Sequence, residues 1–280
     1  MRYRASRFLA LVLVLAFALP VPARAAENDL YQTKAVVSGT GEARRALGFS
    51  QCLSDVLVKV SGDPRLRDDP RVAELAKQAG AFISSFSYRD RLSGIPIHDE
   101  QGSYDRPHDL TSEFDREKID AVLKTLGREP WIGERPRIVV FLSVRNRKGA
   151  EAILAADSRG ASDADMRFSL AAAAEKLGLT MELPTQAEMM KAALTTTTFL
   201  KADIAKLNQS AKADGGMALA GSMVWSDGAL GWVVDWRLAA EAKTYQWQVR
   251  GVGFDDAFRD GMAGAAQILS GHGQPPTSRR

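Results

Sequence analysis

The most constraining segment of this chain runs from Arg137 to Val144, because residues 138–142 are all apolar. Successive side chains of a strand point to opposite faces of its sheet, so this strand places apolar groups on both faces. Both faces then need a cover of other elements. The segment therefore predicts a buried strand with helices packed on its sheet.

Apolar periodicity extends this prediction over the first half of the chain. A period of two predicts a strand over 82–89, β-branched valines before a glycine turn predict one over 31–38, and residues 109–114 are interpreted as the returning strand. Helical spacing predicts helices over 42–60 and 116–126, and a short helix is expected over 71–78 after Pro70. Cys52, the only cysteine, lies on the apolar face of the first of these helices. We interpret it as a buried small hydrophobe, with a reactive thiol as the alternative.

The second half shows the same mixture of patterns. Helices are predicted over 150–156, 163–177, 186–193, 201–211 and 254–269, and strands over 179–183, 217–225, 230–239 and 244–249. The fold class is α/β or α+β, with two small mixed modules, the second carrying a C-terminal antiparallel three-stranded meander covered by a final helix. Polar residues 146–150 place the joint near 147, giving modules over 26–147 and 148–270 and a disordered tail over 271–280.

The N-terminal segment has the three parts of a secretory signal peptide. Basic Arg2, Arg4 and Arg7 precede the apolar run Phe8 to Leu19, and Ala23-Arg24-Ala25 provides a cleavage motif. The apolar run is shorter than the ~20 residues that span a bilayer. We expect cleavage near Ala25, a periplasmic or secreted protein, and no transmembrane anchor afterwards.

The charge balance argues against a nucleic-acid partner. The chain has 37 basic and 34 acidic residues, and residues 1–25 hold four arginines and no acid. Removing that segment leaves 33 basic and 34 acidic residues, a net charge of −1. Nucleic-acid binding requires an excess of cations that neutralise phosphates, so we expect none.

No motif assigns catalytic, metal-binding or cofactor-binding residues, and no cofactor is predicted. His98, His108 and His272 lie in segments that read as polar loop or tail, where solvated histidines are the ordinary interpretation. His98-Asp99-Glu100 is the densest group of metal-ligand types, but consecutive loop residues rarely bind one ion. A pair of carboxylates from distant strands stays open, because sequence cannot exclude it.

The turn Ser38 to Ala43 joins a predicted strand to a predicted helix and resembles a phosphate-binding turn. Arg44 stands where the third glycine of a dinucleotide motif would lie, so we favour an ordinary turn. Arg44 and Arg45 remain candidates for binding an anionic group beside the helix N-terminus.

Tryptophans supply the other candidate binding residues. Trp232 and Trp236 share one face of a predicted strand, which indicates either an aromatic ligand platform or, more often, core packing. Trp131 and Arg135 lie between a helix and the buried strand. They either contact a partner, or Trp131 fills the junction while Arg135 satisfies carbonyls at the helix end.

Several segments together resemble the bacterial exported family named domain of unknown function 2066, over roughly residues 28–250. The segments are Ala46 with Cys52-Leu53 and Val56-Leu57-Val58-Lys59-Val60-Ser61-Gly62, then Phe86-Ser87-Tyr88, Phe114-Asp115, Trp131 with Arg135-Pro136, and Val139-Val140-Phe141-Leu142. The resemblance implies an exported protein without established chemistry and supplies no catalytic residues.

These observations predict an exported, non-catalytic binding or assembly factor of the bacterial envelope, whose partner is a protein of the periplasm or envelope. The alternative is a periplasmic enzyme or a binder of a small sugar or peptide, using a carboxylate or aromatic cleft. We regard an enzyme as the less favoured of the two.

Overall fold

The computed structural model describes residues 30–95, 105–199, 201–213, 215–241 and 243–279. The expected signal peptide over 1–25 and the group His98-Asp99-Glu100 lie outside these described residues. The predictions made for those segments therefore stay predictions.

Helices and strands are mixed along the described chain. The first half contains β1 (Gln32–Ser38), α1 (Glu42–Ser61), α2 (Pro70–Ala76), β2 (Ile83–Asp90), β3 (Pro107–Phe114) and α3 (Arg116–Thr125). Next come β4 (Arg137–Arg145), β5 (Glu151–Leu154), α4 (Asp163–Glu175), β6 (Met181–Glu182), α5 (Gln186–Lys191), α6 (Thr196–Phe199) and α7 (Ile204–Ala213). The last elements are β7 (Gly216–Ser226), β8 (Gly231–Ala240), β9 (Lys243–Val252), α8 (Phe254–Leu269) and β10 (Ser278–Arg279).

The first sheet is antiparallel, with strand order β1-β3-β2. Helix α1 covers one face of it and comes closest at Gly48. A Cβ at this position would lie 2.6 Å from Leu110 and 2.7 Å from Val37, so only glycine permits this approach. The buried side of α1 includes Cys52, which is fully buried. Burial raises the pKa of its thiol, and the predicted role as a small hydrophobe is confirmed.

The second sheet has strand order β10-β9-β8-β7-β4-β5, and β6 also pairs with β4. Strand β4 runs parallel to β7, and residues 138–142 are buried as predicted. Val139 and Phe141 face a small core with α6 and α7. Ile138, Val140 and Leu142 face the main core. The sheet is thus covered on both sides, as its apolar central strand requires.

Strands β7, β8 and β9 form the predicted antiparallel meander, and α8 covers it as predicted. The contact is close because α8 places glycines against two tryptophan rings. A Cβ at Gly261 would lie 2.6 Å from Trp236, and one at Gly264 would lie 2.5 Å from Trp247. The mixed fold class and the covered meander are therefore confirmed.

Two local predictions differ from the structure. Residues 150–156 were predicted to be helical, but β5 pairs with β4, with Leu154 opposite Leu142. Sheet pairing overrides a helical pattern this short. The tail after Gly271 was predicted to be disordered, but Gln274 donates from its side chain to the Gln246 carbonyl, and Gln248 N–H donates to Thr277.

The joint predicted near 147 stays a prediction as a domain boundary. The sheet pairing places β4 with the C-terminal strands rather than with the first sheet. The main core is continuous through both halves, since it includes Leu53 and Leu123 as well as Leu170 and Met262. The two sheets are therefore parts of one packed unit.

The turn between β7 and β8 holds Leu230 in a left-handed conformation with φ 52°, at 85% exposure. We expect Leu230→Gly to raise the free energy of unfolding by about 0.5–1 kcal/mol, because relief of the left-handed strain exceeds the entropy cost of glycine. Ala229→Gly is the matched control, since Ala229 has no positive φ, and it should be neutral or destabilising. Urea unfolding followed by circular dichroism measures both. A loss of stability in Leu230→Gly would contradict the account.

Candidate functional site: the open edge of the first sheet

Strand β2 forms one edge of the first sheet, and its outer side pairs with no strand among the described residues. The opposite edge is different: β1 is contacted there by Lys59, whose ammonium donates to the Gln32 carbonyl at 3.1 Å. Lys34 of β1 also pairs with Glu175 of α4 at 3.7 Å. In β2, residues 84–87 and 89 are exposed. Among the described residues, the unpaired peptide groups of the sheet therefore lie along the outer side of β2.

A ladder of four aromatic rings runs along this edge. Phe49 of α1 meets Phe86 edge to face with centroids 5.3 Å apart, and Phe86 meets Tyr88 in the same way at 5.9 Å. Tyr88 then meets His108 at 6.0 Å. Phe86 is 46% exposed although its neighbours fix its ring. The ladder is thus a rigid apolar surface beside free backbone groups.

The side chains alternate because the register between β2 and β3 is regular after a bulge near Ile83. Phe86 lies opposite Ser112 and Tyr88 opposite Leu110, so both point to the side of the sheet that α1 covers. Helix α1 lies over β1 and β3 more closely than over β2. Of the two aromatic rings of β2, Phe86 therefore remains exposed and Tyr88 half-buried.

Arg45 contributes a cation to this edge. Its guanidinium lies over the Phe86 ring, 5.3 Å from the centroid. No carboxylate among the described residues forms an ion pair with Arg45. Arg44 points elsewhere and lies 3.9 Å from Asp105. Of the two arginines predicted to bind an anion, Arg45 is the one held against the aromatic ladder.

Ion pairs order the far end of β2. Arg89 bonds the Asp109 carboxylate at 2.6 Å, and Arg91 lies 3.5 Å from the same group. Arg106 lies 3.4 Å from Asp90. The Arg89 and Arg91 side chains are largely exposed, so their pairs with Asp109 contribute little stability. Arg89, Arg91 and Arg106 thus have carboxylate partners. Arg45, which lies over Phe86, has none in the described part of the chain.

Trp131 and Arg135 lie away from this edge, at the C-terminal end of α1. Arg135 donates to the carbonyls of Lys59 at 2.8 Å and Trp131 at 2.9 Å, and to the carbonyl of Leu177. Its guanidinium also lies 4.3 Å from the centre of the Trp131 ring. Burial lowers the pKa of Arg135 to about 10, so it stays charged at neutral pH. The structural alternative, in which Arg135 satisfies helix-end carbonyls, is confirmed.

A buried carboxylate anchors the same junction. Burial alone would raise the pKa of Asp63, but bonds from Arg65 at 2.8 Å and Arg128 at 2.6 Å outweigh it and lower the pKa to about 2. The Asp63 side chain has no exposed surface. The group therefore stabilises the fold and is not positioned to act as an acid or base.

This pKa predicts a specific pH dependence. A carboxyl group with a folded-state pKa near 2 and an ordinary value of 3.8 stabilises the protein fully above about pH 4, and this contribution is lost as the pH falls toward 2. We expect a loss of about 2 kcal/mol over that range. Asp63→Asn should remove that part of the pH dependence. Urea unfolding at pH 5 and pH 2.5 tests it, and equal pH slopes in both proteins would contradict it.

The two candidate tryptophans of β8 do not form an exposed row. Trp236 is fully buried between Gly221 and Gly261. Trp232 is half-buried and meets Trp225 edge to face at 5.5 Å. The core-packing interpretation therefore holds for Trp236, and Trp232 keeps some accessible surface near the β7–β8 turn.

A cleft of about 410 Å³ lies beside β4 and is lined by Glu182 and Glu188 among others. Bonds from Thr185 lower the pKa of Glu188, whereas a general acid needs a raised value. Arg137 bonds Glu182 at 2.7 Å. Both carboxylates are thus held by protein groups, Glu182 by Arg137 and Glu188 by Thr185, which is a poor arrangement for proton transfer.

The described histidines and acids show no built reaction centre. Burial lowers the pKa of His272, whose ring contacts the Ser270 hydroxyl at 2.8 Å. His108 contacts the Arg106 carbonyl at 2.7 Å. Within the described ranges, no group of three or more His, Cys, Asp or Glu side chains is arranged to hold a metal ion. No helix in those ranges is long and apolar enough to cross a bilayer.

The sequence pattern predicts that Phe86 and Tyr88 lie on a strand, but neither residue was identified from it as part of a binding surface. The available signal was a strand in which aromatic rings alternate with serines and in which Ile83 is the one β-branched residue. That pattern is typical of a strand with little cover.

Comparison with known proteins covers mainly the part of the chain that holds this edge. No curated protein and no solved structure matches the chain. The resemblance to domain of unknown function 2066 is wrong, because the family model that matches is a different one. Residues 25–132, which include the first sheet and end before β4, match the model of a domain of unknown function (DUF8605).

Proposed function

We propose that this protein is an exported, non-catalytic binding factor of the bacterial envelope that captures a protein partner at the edge of β2. The observation that carries the proposal is the open strand itself, with the Phe86–Tyr88 ladder and Arg45 beside it. The N-terminal pattern of residues 1–25 supports export to the periplasm.

Exposed strand edges are a liability that natural proteins suppress with lysine, proline, bulges or a covering segment. Strand β2 has a bulge at its start, but residues 85–90 pair regularly with β3 and include neither lysine nor proline. Residues 84–87 are all exposed. An edge that no strand of the described residues covers supports use as a template for a partner's strand.

The partner segment is proposed to be extended and to carry an acidic residue. Added to β2, it would form main-chain hydrogen bonds and place every second side chain next to the aromatic ladder. An apolar side chain fits against Phe86, and a carboxylate fits the guanidinium of Arg45, which lacks an acidic partner among the described residues. Main-chain pairing supplies affinity, and these two positions supply specificity.

Site-specific photocrosslinking in the native envelope tests the proposal. A photoreactive side chain at Phe86 should capture one protein reproducibly, and the same group at Phe168, which is 78% exposed on α4, should not. With the reactive group at Ser87, Phe86→Ala or Arg45→Ala should weaken capture, because central aromatic and arginine contacts dominate binding and each costs about 2 kcal/mol when removed. Phe168→Ala is the matched control. The proposal would be contradicted if Phe86→Ala and Arg45→Ala captured as much partner as Phe168→Ala does. It would also be contradicted if a photoreactive group at Phe168 captured the same protein as well as one at Phe86.

A further inference from the structure

A second surface lies at the far end of the other sheet, where two hairpin turns meet. One turn joins β4 to β5 and carries Arg147 and Lys148; the other joins β7 to β8 and carries Leu230. Arg147 links them, because it bonds Asp227 at 2.9 Å and lies 5.9 Å from the centre of the Trp225 ring. We define the hairpin-tip patch as Arg147, Lys148, Trp225, Leu230 and Trp232.

The apolar part of the patch is unusual. Leu230 is 85% exposed and adopts φ 52°, a conformation that bulky residues rarely take. Glycine would occupy this position without strain, so folding alone does not favour leucine there. Strain of this kind at an exposed position points to a functional role. A functional role of Leu230 uses its exposed apolar side chain, which lies at the end of the turn, directly before β8.

The polar part of the patch is weakly cationic. The indole N–H of Trp225 donates to Asp227 at 2.9 Å, and Arg147 pairs with the same carboxylate. Lys148 is exposed and adds one further positive charge. Arg145 and Glu151, below the turn, neutralise each other. An exposed leucine, two partly exposed indoles and two cations at one end of the sheet match the chemistry of a bilayer interface.

We propose that the hairpin-tip patch binds the surface of an anionic lipid bilayer. Leu230 enters the boundary between headgroups and acyl chains, the two indoles lie at the headgroup level, and Arg147 with Lys148 faces lipid phosphates. A cavity at the base of the turns, lined by Arg145, Glu151 and Val224 among others, holds only about 10 Å³. A deformable lipid layer fits such a tip better than a small ligand does. This contact would leave the edge of β2 free for its own partner.

A local fluorescent probe tests the proposal. Leu230→Cys is labelled with an environment-sensitive fluorophore, and native Cys52 does not compete because it is fully buried. The control label is placed at Met190→Cys, which is 75% exposed near the opposite end of the sheet. Vesicles of phosphatidylcholine with one quarter phosphatidylglycerol should shift the emission at position 230 to shorter wavelength and leave position 190 unchanged. No shift at 230, or equal shifts at both positions, would overturn the proposal.

Two variants separate lipid binding from folding. In vesicle sedimentation, Leu230→Gly should partition about tenfold more weakly, because it removes the inserted side chain while relieving backbone strain. Lys148→Gln should partition about fivefold more weakly on anionic vesicles and unchanged on pure phosphatidylcholine. All chains are purified from the envelope fraction of the same cells, so that they share one N-terminus. Partitioning of Leu230→Gly equal to that of the unchanged chain would also overturn the proposal.

Discussion

Arg135→Met is expected to lower the free energy of unfolding by about 3–5 kcal/mol, a large part of the stability of an ordinary domain. The side chain donates to carbonyls of Lys59, Trp131 and Leu177, which belong to three different segments. These segments are the end of α1, the connection before β4, and the end of α4. Removing the guanidinium leaves buried carbonyls without donors and separates the two halves of the main core.

Arg135→Lys should recover only part of this loss, because a single ammonium cannot reach carbonyls on several sides as a planar guanidinium does. Arg159→Met serves as the control, since Arg159 is exposed. Urea unfolding followed by circular dichroism measures all three. A loss below about 1 kcal/mol for Arg135→Met would show that the helix-end bonds are replaceable by water.

Trp236→Ala is expected to cost about 3–5 kcal/mol, because it leaves a cavity between the meander and α8. Trp236 is fully buried, and Gly221 and Gly261 each approach its ring so closely that a Cβ would lie within 2.6 Å. Gly261→Ala should therefore also destabilise the protein, by about 1–3 kcal/mol, although alanine favours a helix.

The double variant gives the sharper test of this contact. In Trp236→Ala with Gly261→Ala, the new methyl group has room in the cavity, so the two losses should be less than additive. Thermal or urea unfolding of the two single variants and the double variant completes the cycle. Strict additivity would mean that the ring and the glycine are not in the contact that the structure describes.

The elements that sequence predicted well are those whose own residues decide their structure. Residues 138–142 had to form a strand covered on both faces, and the apolar stripe of α8, including Phe258 and Met262, had to pack on a sheet. Cys52 was recognisable as buried from its helical neighbours. In each case one periodic segment contained the whole signal.

The elements that sequence missed depend on distant partners. Residues 151–154 become a strand because β4 pairs with them, and Gln274 is held by a carbonyl of β9. Neither partner is visible in the local pattern.

The candidate site shows the same division. Arg45 was predicted to bind an anion from its place after a strand and a glycine turn. The strand order β1-β3-β2 makes β2 an edge strand. It also places Phe86 of β2 under the Arg45 guanidinium. Strand order is set by how the connections cross the sheet and not by the composition of β2. The sequence therefore predicts the candidate cation Arg45 and the strand β2, but it does not predict that Arg45 contacts Phe86 on that strand.

The central claim is that a partner strand adds to β2. The most direct test measures hydrogen exchange of the β2 backbone amides, with and without the partner captured at Phe86. The account predicts that amides within residues 85–90 which face solvent in the free protein become protected in the complex, while the exposed helix face around Phe168 does not change. Protection elsewhere on the molecule, with the exchange of β2 unchanged, would contradict it.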